Sequence, residues 1–386
     1  MATTFDEGVT AILEAFPRTS DINFTVGRAP QIEVDGELLE IQGSQFTTPL
    51  RPESTEALAL LLFGEDESAC KTMGAEGSVD YAHELPNGTR LRANIFRTRG
   101  NYSIVLRVLA SKIPSLEDLG LPTALQEIAE LRNGLVLVTG ATGSGKTTTL
   151  AALVDRVNAT RAVHVVTLED PVEFVHAHKV ATVNQRELGK DFSDFAGGLR
   201  AALRQAPKVI LVGEMRDRMT LEIGLKAAET GHLVLSTLHT IDAGQTIGRV
   251  VGMFDQAEQG PVRSRLAEAL RRVVSQRLLP RAGGGRVAAI EIMGSSLRTR
   301  QLIREGENEN CTFRQVIAEN RSQGWQTFDQ HIVELFEQGL ITAEIARSFA
   351  SDPAIVGRAL DSVRSQRGED TSGLGELHMV NQRLKK

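Results

Sequence analysis

The chain has 386 residues, 41% of them hydrophobic and 24% charged, which predicts two or three folded domains and excludes general disorder. Its 43 basic and 49 acidic side chains give a net charge of −6, and only 4% of residues are aromatic, so we expect no nucleic-acid partner. Two cysteines are too few for a four-cysteine zinc site, and the longest apolar run is far shorter than the roughly 20 residues of a membrane span. We therefore expect a cytoplasmic protein with no segment inserted in the membrane.

The first 110 residues predict a small domain of strands and a helix. Two dipeptides typical of hairpin turns, Asp35-Gly36 and Asn87-Gly88, lie between segments in which apolar and polar residues alternate. Residues 52–63 have helical character, with a proline near the start. In the strands after the second turn, Arg92 and Arg107 point away from the apolar residues, so both side chains lie on polar faces.

From residue 123 the pattern changes to that of an α/β domain. Short, continuously apolar segments are typical of parallel strands that are buried on both faces. Five such segments predict the sheet: residues 135–139, 165–169, 208–212, 233–237 and 287–293. The arginine-rich segment 263–281 predicts either a solvated helical face or a surface that binds a partner. From residue 297 onward the pattern is helical.

The strongest motif is the segment Gly140–Thr147, GATGSGKT, which fits the pattern G-x-x-x-x-G-K-[ST] between a strand and a helix. Its glycines let backbone N–H groups turn around phosphates, and the N-terminus of the following helix favours anions. Lys146 is expected to reach the β- and γ-phosphates, and Thr147 is expected to bind Mg²⁺. The sequence therefore predicts a site for a nucleoside triphosphate, formed by Gly140, Thr142, Gly143, Ser144, Gly145, Lys146, Thr147 and Thr148.

Acidic residues follow two other predicted strands. Glu214 comes just after one of them, where the acid that organises the metal of a P-loop enzyme belongs, and the alternative is a solvated loop acid. Glu169, Asp170 and Glu173 follow the other strand. Three carboxylates this close repel one another, so the cluster is either solvated or faces a cation, where one carboxylate would orient the attacking water.

Two histidines, His232 and His239, flank the predicted strand 233–237. They are either sensors of a γ-phosphate or hydrogen-bonded residues at the two ends of a strand. Their spacing does not match the histidine spacing of helical metal sites, so we predict no metal bound by this pair.

Four motifs stand in order along the chain: GATGSGKTTT, LEDPVEF, ILVGEMRD and TGHLVLSTLHT. Together they resemble the secretion-ATPase superfamily and, within it, the type IV pilus retraction ATPases of the PilT/PilU type. Segments such as SDINFTVGRAP, RLRANIFRTRG and GWQTFDQ extend the resemblance over residues 20–350.

The resemblance implies an α/β fold with a RecA-like P-loop NTPase core, a smaller PAS-like α+β N-terminal domain and a C-terminal helical segment. The tail of the chain is polar, which is typical of disorder. We accordingly predict the PAS-like domain over 1–110, a linker over 111–122, the RecA-like core over 123–296, the helical region over 297–364 and a disordered tail over 365–386.

The resemblance also implies roles for individual residues. Glu214 corresponds to the Walker B acid, and Glu173 to the glutamate taken as general base. The two histidines correspond to the His box of the family, and the two arginines to residues that reach the nucleotide. The implied catalytic residues are Glu173, Glu214, Arg92, Arg107 and His239, with His232 among the nucleotide ligands and with Thr147 and Glu214 on the metal.

The implied function is that of an ATP-hydrolysing, Mg²⁺-dependent hexameric motor that powers pilus retraction and twitching motility. Its expected partners are further copies of the chain, an inner-membrane pilus platform protein and paralogous pilus ATPases, which would hold it at the cytoplasmic side of the inner membrane. The stretch SSLRTRQ departs from the alanine-led segment that precedes LIREG in retraction motors. An assembly or type IV secretion motor, and a nucleotide-sensing paralogue with weak turnover, therefore stay open as alternatives.

Overall fold

The computed structural model describes residues 2–34, 36–41, 48–64, 66–109, 112–309 and 311–369. The chain divides into two compact units, which we call the N-terminal unit (residues 1–113 and 173–175) and the C-terminal unit (residues 114–172 and 176–386). Asp35 of the first predicted turn, Ser111 of the predicted linker and the predicted tail from residue 370 onward lie outside the described residues.

In the described part of the N-terminal unit, six strands form an antiparallel sheet: β1 Thr19–Phe24, β2 Gln31–Val34, β3 Glu37–Glu40, β4 Ser78–Glu84, β5 Arg90–Thr98 and β6 Asn101–Val108. Their order is β3-β2-β1-β6-β5-β4, and the unit also contains the helices α1 Ala2–Ala15, α2 Pro52–Phe63 and α3 Glu67–Glu76. Val34 pairs with Glu37, so two residues join β2 to β3, as the turn dipeptide predicts. Every second residue of β5, namely Leu91, Ala93 and Ile95, is buried in the core.

Among the residues of the C-terminal unit that the structure describes, seven strands form one sheet: β7 Gly134–Thr139, β8 His164–Glu169, β9 Thr182–Glu187, β10 Val209–Val212, β11 Leu233–Leu238, β12 Leu270–Pro280 and β13 Arg286–Gly294. Their order is β13-β12-β7-β11-β10-β8-β9, and all neighbours are parallel except β12 and β13. Strand β7 is buried on both faces, with Leu135 and Leu137 in one core and Val136 and Val138 in the other. This double burial explains its unbroken apolar sequence.

Helices cover both faces of this sheet. Some lie between its strands along the chain: α4 Lys146–Thr160, α5 Phe195–Ala202, α6 Arg218–Glu229, α7 Ala243–Gly252 and α8 Gln256–Ala269. The others follow its last strand: α9 Leu297–Glu305, α10 Phe313–Glu319, α11 Phe328–Glu337, α12 Ala343–Phe349 and α13 Pro353–Gln366. The segments Thr123–Glu130 and Arg321–Gln323 are 3₁₀ helices. Across the ranges that the structure describes, none of the helices has the length and apolar character that crossing a bilayer requires.

The segment 263–281 is not the continuous helical face that its arginines suggested. Helix α8 ends at Ala269, and the following residues form β12, which lies inside the sheet between β7 and β13. Arginines at 271 and 272 and polar residues at 275 and 276 interrupt the apolar pattern, so periodicity alone did not reveal the strand.

The carboxyl ends of the parallel strands meet at one edge of the sheet, where ligands bind in open α/β folds. At this edge β7 is followed by Gly140, β8 by Asp170, β10 by Gly213 and β11 by His239. Residues from all four predicted motifs therefore lie at this edge of the sheet.

Candidate active site

The segment between β7 and α4 forms a tight loop, and two of its glycines, Gly140 and Gly145, have no room for a side chain. Gly140 has φ of +144° and Gly145 has φ of +88°, values that residues with a side chain rarely adopt. A Cβ atom on Gly140 would lie 2.4 Å from the carbonyl oxygen of Gln276, and one on Gly145 would lie 2.8 Å from Gln276 Nε2. Both glycines are thus needed for space as well as for conformation.

Lys146, the first residue of α4, folds its side chain over this loop. Its Nζ donates hydrogen bonds to the carbonyl oxygens of Gly140 and Ala141, each at 2.9 Å, and the residue is only 8% exposed. Burial lowers the pKa of Lys146 below its usual value, although the nearby negative charge of Glu214 opposes this shift. A buried cation held by two neutral carbonyls is well placed to receive an anion.

The loop has the features of an anion cradle. Thr142, Gly143 and Thr147 are exposed around it, and Thr148 is half-buried. The hydroxyl oxygen of Ser144 is buried and has no hydrogen-bond partner in the protein, so it can bond a ligand. The first N–H groups of α4 have no partner within the helix, and with the helix dipole they favour a phosphate. These features fit the polyphosphate of a nucleotide.

Glu214 is the centre of a charged group beside this loop. Its Oε1 lies 3.2 Å from His239 Nε2, and its Oε2 lies 2.7 Å from Arg216 Nε. The structure thus brings together three predicted residues, Lys146, Glu214 and His239. Arg216 also belongs to this charged group, although it was not among the predicted site residues. Its position two residues after Glu214 is the sequence signal that could have identified it.

The three acids at the end of β8 and just after it differ in burial. Glu169 is buried, and its Oε1 accepts hydrogen bonds from Thr167 Oγ1 at 2.5 Å and from Gln185 Nε2 at 3.0 Å. Asp170 is exposed, whereas Glu173 is half-buried and belongs to the N-terminal unit. Glu169 is therefore a buried hydrogen-bond acceptor and not a solvated acid.

His232 lies at the opposite edge of the sheet from the loop. Its backbone oxygen accepts a hydrogen bond from the N–H of Gly134, the first residue of β7, and its Nδ1 lies 3.0 Å from the carbonyl oxygen of Ala227. The loop follows Thr139, the last residue of β7. At about 3.3 Å per residue, Thr139 lies about 16 Å from Gly134, the residue next to His232. Within this chain the structure does not bring His232 to the loop, because the two histidines of the motif flank the full length of a strand.

Arg92 and Arg107 lie side by side in the N-terminal unit, since they are paired across β5 and β6. Two like charges in this arrangement repel each other, and each arginine has an acidic partner that offsets the repulsion. Arg92 Nη2 lies 3.3 Å from Asp80 Oδ2, and Arg107 Nε lies 2.9 Å from Asp21 Oδ1. The Arg107 side chain remains 63% exposed, so it is accessible to a ligand.

Among the described residues, no three His, Cys, Asp or Glu side chains gather as a metal-binding group. A nucleotide-bound Mg²⁺ does not need such a group, because it takes one or two protein ligands and completes its shell with phosphate oxygens and water. Thr147 and Glu214, at the same edge of the sheet, supply a hydroxyl and a carboxylate of the kind that Mg²⁺ prefers.

Known proteins share both the sequence and the fold of this chain. Residues 82–347 match the family model described as type II/IV secretion system protein. The chain is 42% identical over 334 residues to the type IV pilus retraction ATPase PilT of Pseudomonas aeruginosa, covering 86% of this chain and 95% of the relative. It is also 42% identical over 342 residues to a twitching motility protein of Neisseria gonorrhoeae, covering 87% and 89%.

A solved structure extends the likeness to three dimensions. The crystal structure of the pilus retraction motor PilT with bound ADP matches with a TM-score of 0.81 and 42% identity, over 90% of this chain and 98% of that chain. These matches confirm the resemblance that the four motifs predict, and they confirm an α/β fold with a RecA-like core.

Proposed function

We propose that this chain, which belongs to the family of type II/IV secretion system proteins, is an ATP-hydrolysing motor that retracts type IV pili. The proposal is supported above all by one observation: Lys146, Glu214 and His239 lie close together beside the glycine loop. The retraction step is supported by the names of the two relatives, a pilus retraction ATPase and a twitching motility protein.

In the proposed reaction, ATP binds with its phosphates in the loop Gly140–Gly145. Lys146 exchanges its two carbonyl contacts for oxygens of the β- and γ-phosphates, which gives a buried cation an anionic partner. Thr147 and Glu214 would hold Mg²⁺, which when bound neutralises charge on the phosphate oxygens. His239, held against Glu214, would bond the γ-phosphate and sense its loss.

The roles of the remaining predicted residues rest on the family resemblance. We propose that Glu173 orients the attacking water and that Arg92 and Arg107 stabilise the charge that develops on the γ-phosphate. Both arginines already bind acids of their own unit, so a nucleotide has to compete with these acids for them. We propose no role for His232 in the phosphate chemistry of its own chain.

The proposed motor is a homohexameric ring. Hydrolysis removes the γ-phosphate and its contacts, which would allow rigid-body motion of a domain 1–110 about a hinge at 111–122. The ring would pass this motion to an inner-membrane pilus platform protein, with paralogous pilus ATPases as further partners. These associations would hold the ATPase at the inner membrane.

The site assignment is tested with two substitutions in the full chain, measured for ATP binding and for phosphate release. Lys146→Ala should abolish turnover because it removes the cation that faces the phosphates. Glu173→Gln should keep ATP binding and lose hydrolysis, because an amide cannot accept the proton of the attacking water. Lys226→Ala, at an exposed position of α6, is the matched control and should behave like the wild type. Wild-type turnover in either site variant contradicts the assignment.

A deletion strain distinguishes the alternatives. Loss of surface motility with pili still present supports a retraction motor, whereas loss of the pili supports an assembly motor. Wild-type protein that binds ATP with negligible turnover supports a nucleotide sensor. Complementation with the Lys146→Ala variant should fail if the chain acts as a motor.

A further inference from the structure

Two consecutive polar residues of β12, Ser275 and Gln276, hold the chain on both sides of the phosphate loop. Ser275 Oγ accepts a hydrogen bond at 3.0 Å from Thr139 Oγ1, in the last residue of β7 before the loop. Gln276 Oε1 accepts one at 2.9 Å from Thr149 Oγ1, in the first turn of α4 after the loop. All four side chains are buried, so these bonds form away from solvent. Strand β12 thus supports both ends of the loop.

Gln276 also lies against the loop itself. Its carbonyl oxygen occupies the space that a side chain on Gly140 would need, and its Nε2 occupies the space beside Gly145. The residue is only 4% exposed. Burying an amide is unfavourable unless its polar atoms are bonded, so an apolar residue would satisfy the packing at this position more easily. A glutamine here therefore calls for a role beyond filling space.

We propose that Gln276 is a positioning residue for nucleotide binding, which acts by holding the loop and the first turn of α4 in the conformation that receives the phosphates. This inference rests on the proposed nucleotide site. Through Thr149, the glutamine fixes the helix turn that carries Lys146 and the N–H groups aimed at the phosphates. When the loop occupies the competent conformation for only part of the time, the apparent dissociation constant rises by the inverse of that fraction.

The test is Gln276→Leu, which keeps the volume of the side chain and removes both amide atoms. The full-length variant is titrated with ADP in the presence of Mg²⁺, and its ATP turnover is measured over a range of ATP concentrations. We expect Kd for ADP and KM for ATP to rise about tenfold, which corresponds to about 1.4 kcal/mol. We expect kcat at saturating ATP to stay within about twofold of the wild type, because bound nucleotide restores the loop.

Two further variants separate positioning from a general loss of stability. Gln326→Leu is the matched control, because Gln326 is also buried and its Nε2 bonds a backbone oxygen, that of Ile290, at 3.0 Å. We expect it to lower the melting temperature and to leave Kd unchanged. Thr149→Val removes the same hydrogen bond from the other side, so it should raise Kd, and the double variant with Gln276→Leu should bind no more weakly than Gln276→Leu alone.

Each outcome decides for or against the inference. A folded Gln276→Leu variant with wild-type Kd overturns it, and so does an equal loss of affinity in Gln326→Leu. If Gln276→Leu does not fold, Thr149→Val decides, with a raised Kd in support and an unchanged Kd against. Wild-type protein that binds no nucleotide overturns the proposed function, which makes that failure distinguishable from a failure of this inference alone.

Discussion

Glu291, a buried carboxylate of β13, destabilises the fold when it is ionised, so Glu291→Gln should stabilise the protein at neutral and alkaline pH. The residue is 6% exposed, and its Oε1 accepts a hydrogen bond from the N–H of Ala243 at 2.9 Å. Burial raises the pKa of Glu291 from 4.5 to about 7, although the bond from Ala243 opposes the rise. The charge of Asp242 adds to the rise, whereas Arg277 and Arg314 counteract it.

The magnitude follows from the two pKa values. The folded chain holds the proton of Glu291 more tightly than the unfolded chain, so stability is highest below pH 4.5 and falls until the pH passes about 7. At about 1.4 kcal/mol per pKa unit, the loss is about 3 kcal/mol at pH 8 and about 1 kcal/mol at pH 5. Glutamine keeps the oxygen that bonds Ala243 and carries no charge, so the variant should recover most of this loss.

Thermal unfolding of the wild type and of Glu291→Gln at pH 5, 6.5 and 8 measures the effect. At pH 8 the melting temperature of the variant should be higher by about 4 °C, and the difference should shrink toward pH 5. Glu344→Gln, at an exposed position of α12, is the control and should show no such pH-dependent difference. A variant that is less stable than the wild type at pH 8, or a difference in melting temperature that does not depend on pH, would contradict this prediction.

Two further substitutions test the loop and its acid. Gly140→Ala places a Cβ against the backbone oxygen of Gln276, which cannot rotate away. Nucleotide affinity measured by titration should therefore fall about a hundredfold. The control Gly248→Ala, whose Cβ meets nothing within 4 Å, should bind nucleotide like the wild type. Glu214→Gln keeps the shape of the side chain but removes the charge that pairs with His239, so steady-state kcat should fall about a hundredfold. Binding of ADP measured without Mg²⁺ should change little in this variant, and a large loss there would mean that Glu214 supports the loop and not the metal.

Local sequence was enough for the parts of the molecule whose signal is local. The apolar run of β7, the glycine loop and the start of α4 are adjacent along the chain, and each obeys a short-range rule of conformation or burial. Helix α11 lies in the region from residue 297 onward whose pattern predicts helices, and its N-terminal signal is also local, since Thr327 and Gln330 form a capping box. Turn dipeptides likewise predicted the link between β2 and β3.

Long-range contacts explain what the sequence did not reveal. Strand β12 carries arginines and two buried polar residues, so its pattern resembles a surface although it lies inside the sheet. Its polar residues at 275 and 276 bond Thr139 and Thr149, which flank the glycine loop. These partners are more than 120 residues away in the chain, so only the folded structure explains the two polar residues. The buried state of Glu169 likewise depends on a neighbour from another segment, Gln185 of β9.

The amino-acid sequence was therefore enough to predict the class of the fold, the glycine loop and the motifs that carry the candidate acids and histidines. Tertiary structure alone decided which of them meet: His239 reaches Glu214, whereas His232, seven residues earlier, lies at the far edge of the sheet. This difference arises because the two ends of a strand lie at opposite edges of a sheet, while residues far apart in the chain come together wherever parallel strands end side by side.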